Sequence, residues 1–217
     1  MALISEPTLR ARYPLTWTYL LDNKGHLESR EHGKLHGPQW YAYGRSQALE
    51  VMSLPKLFTP DIAPRASFSL DKTGDVFFTG GVAGGYGILV SPDHSREFIL
   101  GLLNSRLLEW LIKQTATQMR GGYYSFESRF IRTLPISVPN PDDPEDMACH
   151  DSIVSLVGQL LELNRRNLIA NDASERQRLQ RLINATEAEV DQLVNSLYGL
   201  TAEETALIEG EGAEDVA

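Results

Sequence analysis

The run Arg120-Gly121-Gly122-Tyr123-Tyr124-Ser125 joins a cation, a glycine pair and two aromatic rings, and Arg129 and Arg132 follow closely. That mixture suits contact with nucleic acid. Lys and Arg neutralise phosphates, and glycine lets backbone N–H groups come close to them. Arg also matches the guanine edge, and aromatic rings can stack or rest on the backbone. A second aromatic-basic run extends from Trp40 to Arg45, Lys56 and Arg65 flank loops containing Pro60 and Pro64, and Tyr86 lies among glycines. The candidates for DNA contact are therefore Arg45, Lys56, Arg65, Tyr86, Arg120, Tyr123, Tyr124, Arg129 and Arg132. The same spacing fits a plainer arrangement, with Tyr123, Tyr124 and Phe126 alternating into a core and the arginines solvated.

Motifs for covalent chemistry are missing from the sequence. There is no Asn/Asp-Pro-Pro-aromatic loop for amino-group methylation of a base, and no Glu-x-Lys to complete a Pro-Asp nuclease motif. The glycines at 80–87 lack the lysine of a phosphate loop, so they are expected to form a flexible turn. His32 and His36 are four apart but have no Glu between them for a zinc-protease helix, and a surface loop is expected there. Cys149 is the sole cysteine, which excludes an internal disulfide and a cysteine-based zinc site. Its neighbour His150 does not make it a catalytic pair. No catalytic residue, metal site or cofactor site is expected in this chain.

The elements that must position these residues follow from local signals. Pro14 suits a helix start, and a helix is predicted from there towards Arg30, weakened at Gly25. Residues 39–90 read as β-rich, with strands predicted at 40–43, 56–58, 66–70, 76–79 and 88–90 and a helical turn at 47–52. Apolar spacing predicts helix over 95–117 with a break at Asn104-Ser105, then extended chain at 123–126 and 130–131. Leu100–Ser105 and Leu134–Ile136 are expected in the core. Residues 137–144, rich in proline and aspartate, read as a linker, and the chain beyond them is purely helical. Asp143-Pro144 is a cap and first-turn pair, Gly199 a helix stop, and capping boxes are expected at Asp172/Glu175, Thr186/Glu189 and Thr201/Glu204.

The net charge of -9 over 217 residues is uneven. Residues 1–137 carry 15 Lys+Arg against 12 Asp+Glu, whereas 138–217 carry 5 against 17. That asymmetry suggests two parts with different work. The expected division is 1–137 as a DNA target-recognition domain, 145–209 as a helical appendage, and 210–217 as a disordered acidic tail. No stretch of about 18 apolar residues and no signal-peptide pattern occurs, so a cytoplasmic protein is expected.

The order of motifs resembles the TaqI-like C-terminal specificity domain of adenine-specific DNA methyltransferases and of fused type II restriction–modification enzymes. The matching runs are Pro14 to Leu20 with Leu27 to Arg30, Trp40-Tyr41 with Arg45, and Leu54 to Leu57. Phe68 to Asp71 near Gly74, Leu100 to Ser105, Gly121 to Phe126, Leu134 to Ile136 and Thr186 to Thr201 follow in order. The resemblance covers about residues 8–205. It implies an α+β fold: a mixed β target-recognition unit with packed helices, followed by a helical C-terminal appendage. It implies sequence-specific recognition of double-stranded DNA by a restriction–modification protein. The methyltransferase domain, with its S-adenosylmethionine, would lie outside this chain as a preceding domain or a separate subunit. Two alternatives remain open: a docking module for that methyltransferase without direct base readout, or an enzyme whose site is assembled from loops.

Overall fold

The computed structural model describes residues 3–44, 48–81 and 84–214, the last four by backbone alone. They form two compact units, Met1–Ser53 and Leu54–Ala217. The helices beyond residue 144 therefore share a unit with the β segments, and the division falls at Ser53 rather than in the proline-rich run 137–144.

The first unit holds α1 (Glu6–Arg12), α2 (Pro14–Asp22) and α3 (Lys24–Gly33). Asn23 splits the helix predicted from Pro14: its backbone turns aside at φ -101° and its side-chain amide donates to Tyr19 O at 2.8 Å. Trp40–Tyr43 forms a turn instead of the predicted strand. Its carbonyls find a side chain in place of a neighbouring strand, because the Arg30 guanidinium donates to Trp40 O at 3.2 Å and Ala42 O at 2.7 Å. Trp17, Trp40 and Tyr41 pack with ring centroids 5.7 Å apart, so these aromatics are core.

In the second unit, β1 (Lys56–Pro60) is flanked by β3 (Ser69–Asp71) and β4 (Gly85–Ile88) in sheet A. The chain turns at Asp61 into β2 (Ile62–Ala63), which joins β6 (Tyr123–Ser125) and β5 (Gln118–Met119) in sheet B, ordered β2-β6-β5. All four strand pairings are antiparallel. The predicted strand at 76–79 is irregular, although Phe78 stacks on Phe58 at 6.0 Å. Conversely, Gly85 and Gly87, expected in a flexible connection, belong to β4. A Cβ at Gly85 would lie 2.4 Å from Thr59 O, so only glycine lets β4 approach β1 this closely.

Helices α4 (Arg96–Asn104) and α5 (Arg106–Thr115) separate at Ser105, as the sequence predicts. The Ser105 hydroxyl oxygen accepts from Leu108 N at 3.3 Å and caps the second helix. Residues 130–131, predicted extended, end the short helix α6 (Ser128–Ile131). Long helices α7 (Pro144–Ile169) and α8 (Ala173–Leu197) form a hairpin, and α9 (Ala202–Glu214) follows, so residues 210–214, expected disordered, are helical, and 215–217 lie outside the described residues. Asp143, Asp172 and the Thr201/Glu204 pair cap as expected. Gly199, at φ 66°, ends α8 with Leu200 N donating to Asn195 O. Thr186 lies inside α8 and donates to Leu182 O at 2.9 Å, so that capping box does not form.

Helices and sheets share one core. Phe98, Leu102, Leu108, Ile112, Phe126, Ile153 and Val194 are almost wholly buried in it with Leu57. Each such side chain contributes about 1.5–3 kcal/mol on burial. A Cβ at Gly101 would stand 2.8 Å from Ile153 Cγ2 and 2.9 Å from Val157 Cγ2, so α4 and α7 touch nearly backbone to side chain. The Tyr198 hydroxyl donates to Pro135 O at 2.6 Å and accepts from Ser137 N at 3.1 Å, fastening the start of the proline-rich run to α8. Ile136, expected in the core, is instead 36% exposed.

Candidate nucleic-acid interface

Sheet B carries most of the predicted contact residues. Strands β5 and β6 pair Met119 with Tyr123, leaving Arg120, Gly121 and Gly122 as the hairpin loop. Gly121 and Gly122 have φ of 79° and 75°, a left-handed backbone that side-chain-bearing residues rarely adopt. The loop presents Arg120 to solvent. Across the sheet, Ala63 of β2 pairs with Tyr124, so the chain leaves β2 through a bend at Pro64 and Arg65 on the hairpin side of sheet B. Arg65, Arg120 and the exposed ring of Tyr123 thus belong to one end of sheet B. Among the described residues, neither guanidinium has an ion-pair or hydrogen-bond partner.

Helices α4 and α5 hold this end in place. Asn104 grips Phe68 by both backbone groups: its Oδ1 accepts from Phe68 N at 2.9 Å and its Nδ2 donates to Phe68 O at 3.0 Å. Glu109 Oε2 accepts from Ala66 N at 2.9 Å, which fixes the chain directly after Arg65. The same glutamate pairs with Lys113 at 2.8 Å, and the Lys113 ammonium sits 5.1 Å from the centre of the Tyr124 ring. Tyr124 is therefore a half-buried positioning residue and Tyr123 the ring facing solvent. Phe126 beyond them is fully buried and meets Phe68 edge to face, 6.0 Å between centroids.

A different group gathers at the opposite end of β6. The Ser125 hydroxyl lies 3.4 Å from Asp61 Oδ1 and 3.2 Å from Glu127 Oε1, and Arg129 donates to the same glutamate oxygen at 3.0 Å. Arg129 also covers the Phe130 ring at 4.6 Å. Tyr86 on β4 pairs with Thr59, two residues before Asp61. Burial, then the carboxylates of Asp61 and Glu127, push its phenol above the usual tyrosine range, and the Arg129 charge opposes them. The phenol therefore remains protonated at neutral pH and able to donate. Arg132 follows α6, exposed and without a side-chain partner among the described residues.

The predicted residues thus separate. Arg65, Arg120 and Tyr123 lie at the hairpin end of sheet B, whereas Arg129, with Tyr86 within reach of its charge, belongs to the other end. Lys56 joins neither. It is 2% exposed, and its ammonium contacts Asp71 Oδ2 at 2.6 Å. Asp71 accepts further from the backbone N–H groups of Thr73, Gly74, Asp75 and Val76. The Lys56 hydrogen bond, helped by those amides, holds the Asp71 carboxyl far below the usual range. Lys56 is committed to the interior and is corrected from contact residue to structural cation. Arg45 lies outside the described residues.

Asp61, Ser125 and Glu127 were absent from the sequence candidates. The alternation Ser125-Phe126-Glu127 with Arg129 carries a local hint, but Asp61 is 64 positions from Ser125 and reaches it only through strand pairing. Among the described residues no three His, Cys, Asp or Glu side chains gather as metal ligands, and no helix is long and apolar enough to cross a membrane. A shallow groove of about 520 Å³ lies away from sheet B, along α7 and α8, lined by Gly158, Gln159, Leu163, Leu182 and Thr186 among others.

No family model matches the chain. It is similar to the type II restriction enzyme and methyltransferase RM.Eco57I of Escherichia coli, 27% identical over 202 residues. The match takes in 88% of this chain and 20% of the relative, so the chain spans about a fifth of that protein's length. The similarity supports a relation to restriction–modification enzymes.

Proposed function

We propose that this chain is a double-stranded DNA recognition module of a restriction–modification protein, of the kind found as TaqI-like target-recognition domains. The observation that carries this reading is the end of sheet B, where the unpaired guanidinium groups of Arg65 and Arg120 flank a glycine loop and an exposed tyrosine. Phosphate oxygens would accept from those guanidinium groups and from loop N–H groups that Gly121 and Gly122 leave uncovered. Tyr123 offers a face for stacking or sugar contact. Arg132 adds charge beyond α6, while the Glu127–Arg129 pair offers an acceptor and donors suited to base edges, with the Tyr86 phenol on strand β4. In this reading the module contributes binding and orientation. A methyltransferase domain or subunit outside residues 1–217 would hold S-adenosylmethionine and act on an adenine extruded from the duplex.

The test is selection of a randomised duplex pool by the chain at low and moderate salt, beside a variant carrying Arg65→Ala, Arg120→Ala and Arg132→Ala. Enrichment of a sequence, steep weakening with salt and loss in the variant are expected. A wild-type chain that retains no duplex at low salt overturns the reading. The groove along α7 and α8, with Leu182 43% exposed beside Leu163, favours a second reading, in which the helices dock a methyltransferase part. Retention of that part by the chain in the absence of DNA would support it.

A further inference from the structure

The acidic C-terminal third has an uneven charge of its own. All five of its arginines, Arg165, Arg166, Arg176, Arg178 and Arg181, fall within 165–181, at the turn between α7 and α8. Only Asp172 and Glu175 accompany them there, while most of the acids lie at the start of α7, the end of α8 and in α9. The hairpin joins the main core through Ile153, Val157 and Leu161 on α7 and Val190 and Val194 on α8. Outward of these, Leu179 and Ile183 are buried without belonging to that core, so the outer half packs on itself. At 1.5 Å per residue, the part of α7 past Leu161 reaches about 12 Å further. The turn at its end exposes Leu168 and Ile169 at 84% and 63%.

The arginines differ in what they are bound to. Arg176 donates to Ala170 O at 2.7 Å and closes the turn. Arg165 makes two bonds to Glu162, and Arg166 stands 3.8 Å from Glu175. Arg178 and Arg181 are exposed and, among the described residues, have no partner. Three positions apart on α8, they project from one face. Two unpaired guanidinium groups side by side, on an arm whose root is acidic, offer a site for a polyanion.

We infer that the outer end of the α7–α8 hairpin is a second DNA contact, holding the phosphate backbone through Arg178 and Arg181 while sheet B reads the site. The identity of the polyanion rests on the DNA reading proposed above. The acidic root is repelled by phosphate, so the charge pattern makes the arm touch the duplex at its end alone. Such a contact carries no sequence information and adds affinity and salt dependence.

The test measures binding of the full chain to a 40-base-pair duplex carrying the selected site, across a salt series. Three proteins are compared: wild type, Arg178→Glu/Arg181→Glu, and Arg65→Ala/Arg120→Ala. Glutamate is as good a helix former as arginine, so thermal melting of the arm variant controls for folding. The arm variant is expected to bind at least about fivefold more weakly, with a slope of log affinity on log salt shallower by about 2, and to keep its sequence preference. Unchanged affinity and slope in the arm variant overturn the inference and leave the sheet B reading intact. Weakening in the arm variant with none in the Arg65/Arg120 variant sustains the arm and overturns sheet B. A wild-type chain that binds no duplex at low salt overturns both.

Discussion

Sheets A and B are both three-stranded and antiparallel, and each carries cations that sequence reasoning assigned to DNA. Sheet A turns its cation inward. Lys56 on the central strand is closed over by Asp71 on the neighbouring strand and by the loop that follows it. Sheet B turns its cations outward, because Arg120 lies in a hairpin loop and Arg65 just past a strand end. The difference is one of position within a sheet. A side chain at the centre of a covered sheet must be paired, whereas one at a loop is solvated and free to exchange water for phosphate.

Removing the buried cation tests this contrast most severely. Lys56→Met leaves the Asp71 carboxylate buried without a countercharge, held by backbone N–H groups and the Thr73 hydroxyl alone, and the melting temperature is expected to fall by about 10 °C or more. An unchanged melt would mean that the ion pair is not structural. The pair also has a pH signature. Asp71 is lowered in the folded state, so its stabilisation is fully present above the ordinary carboxylate range and is lost as pH falls from about 4 towards its folded value. That acid dependence should diminish in Lys56→Met.

Sheet B predicts the reverse outcome. Arg65→Ala/Arg120→Ala should leave stability within about 0.5 kcal/mol. DNA affinity should fall about 10- to 100-fold, with a salt slope shallower by about 2. A large loss of melting temperature in this variant would erase the distinction between the sheets. The tyrosines sharpen it within a single strand. Tyr123→Ala should weaken binding about tenfold at unchanged stability. Tyr124→Ala should lower stability by about 2 kcal/mol, through lost packing and loss of its contact with Lys113.

The smallest effect is expected where α5, which supports sheet B, meets α8. Asp191 accepts from Arg106 N at 2.9 Å, and its burial raises the carboxyl to about 6 against that bond and the Arg106 charge. A raised acid keeps its proton in the folded state while the unfolded chain has lost it, so stability falls as pH rises from about 4 to 6. Asp191→Asn should flatten that window and add about 1 kcal/mol at pH 7, with DNA binding unaltered. A decrease in stability at neutral pH would show that the charged form is favoured after all.

Much of the local architecture was legible in residue order. Ser105 dividing α4 from α5, Asp143 and Asp172 opening α7 and α8, Gly199 closing α8, and the extended chain from Tyr123 all came from signals a few residues long. These features depend on backbone conformation and capping bonds between near neighbours, which the sequence determines directly. The α+β class, expected from the family resemblance, agrees with the strand and helix patterns read along the chain. Trp40-Tyr41 misled because aromatic runs suit a strand and a packed turn equally well.

Tertiary structure decided which cations face water. Lys56 is fifteen positions from Asp71, and Asp61 is 64 from Ser125. Those pairs exist only because strands pair side by side, and burial then fixes whether a charge must be neutralised internally or remains available. The division of the chain was set in the same way. A proline-rich run looks like a boundary, yet Gly101 against Ile153 and Val157 binds the segments on either side of it into one core. Local sequence determines where the chain turns, but desolvation depends on what the rest of the fold brings alongside.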